Sequence, residues 1–208
     1  LNGIVSTHTK AKIGGIEGRP LQAGDQFCIN TFTRDKVHVC DFYGTHKLFN
    51  TALYNRGGRE CHEPLRVVLG EQAKYFTEKG IKTFGSKIYT LTVQCDRMGF
   101  RLDGPVIEHI ESADIISDEA VFGSIQVPSD GNPIILMADR QTTGGYTKIG
   151  TIITADLPRL SQLPVGDGIH FDIISVEESQ EIYRTYMKRL YKRIQLAHEQ
   201  SLYVFKLR

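Results

Sequence analysis

The run Ala138-Asp139-Arg140-Gln141-Thr142-Thr143-Gly144-Gly145-Tyr146 carries more hydrogen-bonding chemistry than a connection between two strands requires. Paired glycines let a backbone turn successive N–H groups toward an anion. Thr142 and Thr143 offer hydroxyl donors, Gln141 and Tyr146 add polar groups, and Arg140 presents a planar fork suited to a carboxylate. Together they could hold a carboxylate or a developing oxyanion. A plain hairpin would explain Gly144-Gly145, but it would leave the arginine, the glutamine and two threonines without a purpose.

Two further stretches are chemically rich. In Cys95-Asp96-Arg97-Met98-Gly99-Phe100-Arg101-Leu102-Asp103 the arginines and aspartates form either an ion-pair network around a bend, with Gly99 at a bulge, or a site in which Arg97 faces a ligand and Asp96 orients it. In Gly123-Ser124-Ile125-Gln126-Val127-Pro128, Gln126 alternates with apolar neighbours. Alone it reads as an exposed strand residue; beside an anion-binding loop it could match the donor and acceptor of an amide or ureido group. Asp114 and Asp118 have the spacing of a helical turn and read as a solvated turn before a carboxylate pair.

Several chemistries lack support. The seven histidines show no metal-ligand spacing, so no metal is expected, and each reads as structural. There is no G-x-S-x-G elbow, no phosphate-binding G-x-x-x-x-G-K-[ST] loop and no biotin-attachment A-M-K-M run. A formal charge of +1 gives no basic footprint for nucleic acid. No apolar run reaches the length of a membrane span, and the first residues lack the basic and apolar regions of a signal peptide. Cys28, Cys40, Cys61 and Cys95 are irregularly spaced without C-x-x-C, which suits free thiols and a cytoplasmic protein.

The elements that would position these residues are mostly short strands. With 208 residues, 40% of them hydrophobic and 24% charged, the chain can bury a substantial core. Strands are expected at 26–32, 37–42, 65–70, 89–94, 123–127, 133–138, 149–155 and 168–175, separated by turns such as Ser129-Asp130-Gly131-Asn132. Close spacing of short strands points to a barrel or sandwich rather than βαβ units. A short helix is expected over 71–79, stopped by Gly80. The glycine-rich stretch 50–64 reads as a linker, dividing a strand- and turn-rich segment 1–62 from a domain 63–208. At the end the period changes: Ile182, Tyr186, Leu190, Ile194 and Ala197 mark one apolar stripe of a helix. Ser175 and Glu178 form its capping box, and Arg184, Lys188, Arg189, Lys192 and Arg193 lie opposite as a solvated face.

Taken in order, these stretches resemble the KipA, or allophanate hydrolase subunit 2, family. The resemblance rests on Cys95–Leu102, Ala113–Asp118, Gly123–Pro128 and Ala138–Tyr146, with Thr154-Ala155-Asp156-Leu157-Pro158-Arg159-Leu160 and Gly14-Gly15-Ile16-Glu17-Gly18-Arg19 in support. It implies a mainly β fold: a cyclophilin-like β-barrel with a short helix or two and the C-terminal amphipathic helix. It also implies a strand-rich region before the chain's start, and Glu71 departs from the proline more usual in the family.

The resemblance implies a subunit of an ATP-dependent 5-oxoprolinase or a biotin-dependent carboxyltransferase, acting on a cyclic amide or urea-like substrate. ATP would be used by the complex, and any biotin would arrive on another chain. The implied partners are a KipI-like subunit of related fold (allophanate hydrolase subunit 1) and a LamB/YcsF-type subunit. A different class of role is also implied for the family, that of a non-catalytic regulator binding a KipI-like kinase inhibitor. On the enzymatic reading Arg140 stabilises negative charge, Asp96 and Gln126 orient the acceptor, and Arg97 and Gln141–Tyr146 bind substrate.

Overall fold

The computed structural model describes residues 7–9, 11–26 and 63–206. The strands expected at 26–32 and 37–42 and the linker over 50–64 lie wholly or mostly outside these residues. The chain divides into two compact units, Leu1–Phe42 and Tyr43–Arg208.

In the first unit, β1 (Thr7–His8) and β2 (Ile13–Gly14) form a small antiparallel pair. The glycine-rich run after it is a string of tight turns. Gly15 and Gly18 take φ of +54° and +65°, and a Cβ on Gly18 would lie 2.2 Å from the carbonyl carbon of Lys12. Arg19 grips Asp25 through both carboxylate oxygens at 2.8 and 2.7 Å. That pairing and the Gln22 N–H lower the Asp25 carboxyl to about 2.

The second unit is built on one eight-stranded sheet. Its strands are β3 (Leu65–Leu69), β4 (Tyr89–Leu91), β5 (Gly99–Asp103), β7 (Ser124–Gln126), β8 (Ile134–Leu136), β10 (Lys148–Ile152), β11 (Gly168–Ile169) and β12 (Phe171–Ile173), in the order β11-β4-β5-β8-β7-β10-β3-β12. All neighbours are antiparallel except β12 and β3. The outermost strands, β11 and β12, are consecutive in the chain with only His170 between them. The sheet must therefore curl until its edges meet, which makes it a nearly closed barrel. The single strand expected over 168–175 is broken at His170 because its halves serve opposite edges. A separate two-stranded ribbon joins β6 (Asp114–Glu119) to β9 (Thr143–Tyr146).

The helices differ from expectation in two places, at 71–86 and at 157–160. Residues 71–75 form a 3₁₀ turn, and α1 spans Glu78–Ser86, running through the glycine expected to end a helix. Thr77 caps α1, its Oγ1 accepting from the Gly80 N–H at 2.9 Å. Gly80 is there for proximity: a Cβ would lie 2.5 Å from the Glu108 carbonyl oxygen. A short helix, α2 (Leu157–Leu160), follows β10, and α3 (Val176–Lys206) closes the chain. Ser175 Oγ accepts from the Glu178 N–H at 3.1 Å, as the capping box requires.

Alternating residues of the strands fill the core. Leu65, Val67, Ile125, Ile135, Ile149 and Phe171 are essentially inaccessible. Phe84 of α1 stacks on Phe171 at 4.4 Å, and Tyr89 packs on the same ring at 5.8 Å. Burial pushes the Tyr89 phenol up to about 12.

One buried carboxylate fastens the sheet to α2. Asp156 accepts from the Arg66 N–H at 2.9 Å and from its guanidinium at 3.0 and 2.6 Å, with Arg159 alongside at 3.5 Å. Removing it leaves two arginines without their counter-charge and a strand N–H without an acceptor. Asp156→Ala is therefore expected to lower stability by about 2–4 kcal/mol, part of the charge of Arg66 being relieved by water. Urea unfolding should show a lower midpoint at unchanged slope, whereas an unchanged midpoint would contradict this role.

Candidate functional site

The Arg140–Tyr146 run leaves β8 through a turn and enters β9. The ribbon pairs Asp118 with Gly144 and Glu119 with Thr143, and the Ala120 N–H donates to the Thr142 carbonyl at 2.9 Å. Gly144 and Gly145 thus lie in a strand, and neither takes the positive φ by which an anion nest turns its N–H groups. The expected backbone cradle is not what these glycines build. Gly144 instead permits close approach: a Cβ there would lie 2.3 Å from Gln126 Nε2. Gly145 has more room, its nearest neighbour being the Ile115 carbonyl oxygen at 3.6 Å.

The structure gives the two arginines different employment. Arg97 grips Asp139 through Nε and a terminal nitrogen at 2.6 and 2.9 Å. The Asp139 N–H returns to the Arg97 carbonyl at 2.8 Å, so this pair ties the β4–β5 bend to the start of the loop. Asp96 serves the bend itself. Its Oδ1 accepts from the N–H groups of Met98 and Gly99 at 2.8 and 3.2 Å, forming the turn that launches β5.

Arg140, by contrast, is held by one edge. Its Nε donates to the Ala120 carbonyl at 3.0 Å and its guanidinium lies 5.9 Å from the centre of the Phe122 ring. Its terminal nitrogens have no acceptor among the described residues. A fork fixed by Nε and an aromatic face, with its outer donors unengaged, can accept a carboxylate or a polarised carbonyl without rearrangement.

Gln126 is buried, with 2% of its surface exposed, whereas an exposed strand position was the reading of that residue alone. Both faces of β7 are covered, and the covering over Gln126 is the glycine of β9. Its Nε2 has no hydrogen-bond partner among the described residues, and its Oε1 receives only a 3.5 Å contact from Gln141 Nε2. Thr142, Thr143 and Tyr146 are exposed on the same run. Gln126, Gln141 and Gly144 thus meet at one point, and Arg140 stands next to Gln141 in the chain. Arg97 and Asp96 are engaged in turn architecture.

The sequence model of the carboxyltransferase domain, subdomain A and B, matches residues 2–173. The chain belongs to that family. It is 35% identical over 181 residues to a 5-oxoprolinase subunit of Haemophilus influenzae and 36% identical over 177 residues to the Escherichia coli protein of the same name. These alignments take in 86% and 85% of this chain and 53% of each relative. The chain thus spans about half the length of the curated relatives it matches. Urea amidolyase of Saccharomyces cerevisiae is 24% identical over 86% of the chain and 10% of its own length. Among solved structures, K. lactis urea amidolyase superposes with a TM-score of 0.62 at 20% identity, over 67% of this chain and 9% of that one, which supports the barrel fold.

This carboxyltransferase domain carries a second polar cluster that sequence reading missed. Asp118 Oδ2 accepts from Lys148 Nζ at 2.8 Å and from Gln72 Nε2 at 2.7 Å, while Gln72 Oε1 accepts the Lys148 N–H at 2.8 Å. The hydrogen bond from Lys148 is the main cause that lowers the Asp118 carboxyl below its usual range. Gln72 and Asp118 line an open groove of about 570 Å³ together with Tyr75, Ile110, Asp114 and Ile116. Asp114 and Asp118 read as a turn because of their spacing of four, but they lie in β6, whose pairing with β9 shifts register between them. The three cluster residues come from three distant segments, and no local pattern joins them. Among the described residues no group of acidic, histidine or cysteine side chains is arranged to hold a metal ion, and no helix is long and apolar enough to cross a membrane.

The two glycines of β9 can be separated experimentally. Gly144→Ala drives a methyl into the Gln126 amide and is expected to lower stability by about 1–3 kcal/mol. Gly145→Ala meets only ordinary contact distances and should change it by less than about 1 kcal/mol. Equal denaturation midpoints for the two variants would show that the Gly144–Gln126 approach is not a constraint.

Proposed function

We propose that the chain is a subunit of an enzyme complex acting on a cyclic amide or urea-like substrate, of the ATP-dependent 5-oxoprolinase or carboxyltransferase type. The observation carrying this reading is Arg140: a guanidinium fixed by Ala120 and Phe122 whose outer donors face no acceptor among the described residues. Those donors hold the substrate carboxylate or draw charge onto the carbonyl oxygen next to nitrogen. Gln126 orients the amide, and Gln141, Thr142, Thr143, Gly144, Gly145 and Tyr146 form the surrounding surface. Arg97 and Asp96 support the loop from behind.

The relatives' names, as subunits of 5-oxoprolinase, favour a multi-subunit assembly; the irregularly spaced cysteines without C-x-x-C suit a cytoplasmic one. On this reading the partners are a KipI-like subunit and a LamB/YcsF-type subunit, and ATP is used by the complex. If biotin takes part it comes on another chain, and its carboxylated form supplies the group to be transferred. This chain's share is to hold and orient the acceptor.

The test is ATP-dependent conversion of 5-oxoproline to glutamate by this chain assembled with those partners. Arg140→Ala should reduce turnover about 100-fold or more while leaving the thermal unfolding midpoint nearly unchanged. Arg140→Lys should restore little, since a point charge does not replace a planar fork. Near-normal turnover by Arg140→Ala would defeat the assignment. An inactive assembly in which the chain binds its KipI-like partner tightly would favour a regulatory role.

A further inference from the structure

A buried amide donor with no acceptor is destabilising by about 1–3 kcal/mol, and folded proteins rarely keep one without a use. Gln126 Nε2 is such a donor among the described residues, lying at the point where β9 has no side chain. The partner of its oxygen is also informative. Gln141 is exposed, and its Nε2 reaches Gln126 Oε1 only at 3.5 Å, the outer limit of a hydrogen bond. The same Gln141 nitrogen lies 3.5 Å from the vacant Cβ position of Gly144. One amide edge therefore has its acceptor lightly covered by a displaceable N–H and its donor unanswered. Exchanging the nitrogen and oxygen of Gln126 alone would set its NH₂ against that of Gln141; exchanging both carboxamides keeps the contact, and Gln126 then offers the same donor and acceptor on one edge with their places reversed.

A primary carboxamide presents C=O and N–H side by side, and its best partner presents N–H and C=O on one edge as well. Lactams and ureas do so, because the ring or the second nitrogen places an N–H cis to the carbonyl. Acyclic secondary amides are trans, with the two groups on opposite sides, and cannot answer both. We infer that Gln126 is the specificity-determining reader of a cis-amide edge, taking the ligand carbonyl on Nε2 and the ligand N–H on Oε1, and that the Gln141 carboxamide occupies this place until ligand displaces it. The inference rests on the proposed function in taking the Arg140–Tyr146 run as the ligand side of the site. It deepens that proposal by naming the edge of the substrate that is read.

The experiment titrates the ¹⁵N-labelled 208-residue chain with three neutral probes: butyrolactam, N-methylbutyrolactam and N-methylacetamide. Butyrolactam should shift the Gln126 side-chain amide signal, identified by its loss in Gln126→Met, and bind roughly tenfold more tightly than either other probe. Gln126→Met should bring the three to equal affinity, and Gln141→Ala should keep the ranking and tighten butyrolactam. Equal affinities for the native chain, or a lactam preference that survives Gln126→Met, would overturn the assignment. If Gln126→Met does not fold, equal affinities in the native chain still overturn the assignment. The probes lack the carboxylate proposed to sit on Arg140, so turnover loss in Arg140→Ala and the probe ranking report separately. Loss of the ranking with Arg140 still essential removes the edge reader alone. An intact ranking with Arg140 dispensable removes only the anion role.

Discussion

His170 alone separates the strands at the two edges of the main sheet, and that short tether constrains the rest of the domain. An eight-stranded sheet whose first and last strands are consecutive in the chain cannot lie open, so it curls and encloses the core on which Phe84, Tyr89 and Phe171 converge. Closure also removes most of the exposed strand edge that an open sheet would present. The parallel pairing of β12 with β3 completes the ring, and Asp156 fastens β3 to the helix beyond β10. A curved sheet buries both faces of a central strand when a second layer covers it. β7 is in that position, which is how a glutamine comes to be almost inaccessible in the middle of an apolar strand.

Much of the barrel is legible in the sequence because short strands bounded by turn residues leave local signals. The runs around Leu65–Leu69, Ser124–Gln126, Ile134–Leu136 and Lys148–Ile152 fall where alternation and apolar content place them, with ends moved by a residue or a few. The misreadings share a cause. Gly80 looks like a helix stop, yet it lies inside α1 because the Glu108 backbone passes too close for a side chain, and a contact 28 positions away leaves no local trace. The spacing of four between Asp114 and Asp118 imitates a helix, but pairing with β9 holds both in a strand.

The candidate site is legible as a set of residues and less so as an arrangement. The loop from Arg140 to Tyr146 announces itself by composition, and Gln126 by being polar among apolar neighbours. What composition does not tell is which charge is already satisfied. Two arginines look equivalent in sequence, but Asp139 engages Arg97 through both oxygens, while the terminal nitrogens of Arg140 meet no acceptor among the described residues. Two glycines look like an anion nest, but an extended backbone makes Gly144 a gap that admits an amide. Both distinctions depend on partners brought together by the ribbon and the barrel. The Gln72–Asp118–Lys148 cluster is beyond local reading for the same reason.

The barrel holds Gln126 in a strand paired on both sides and almost wholly buried. On the proposed function, the β6–β9 ribbon and its loop carry the groups that would meet a ligand: a guanidinium held by Ala120 and Phe122, and a lightly held carboxamide beside the buried amide. This arrangement suits a small molecule bearing an acidic group and a cyclic amide. The most direct measurement is a crystal structure of the assembled complex with 5-oxoproline bound. The ligand carboxylate should then lie on the terminal nitrogens of Arg140, with the lactam edge on Gln126 and the Gln141 side chain displaced. A ligand bound elsewhere, with the Gln126–Gln141 contact intact and the Arg140 donors still unengaged, would contradict this role for the site.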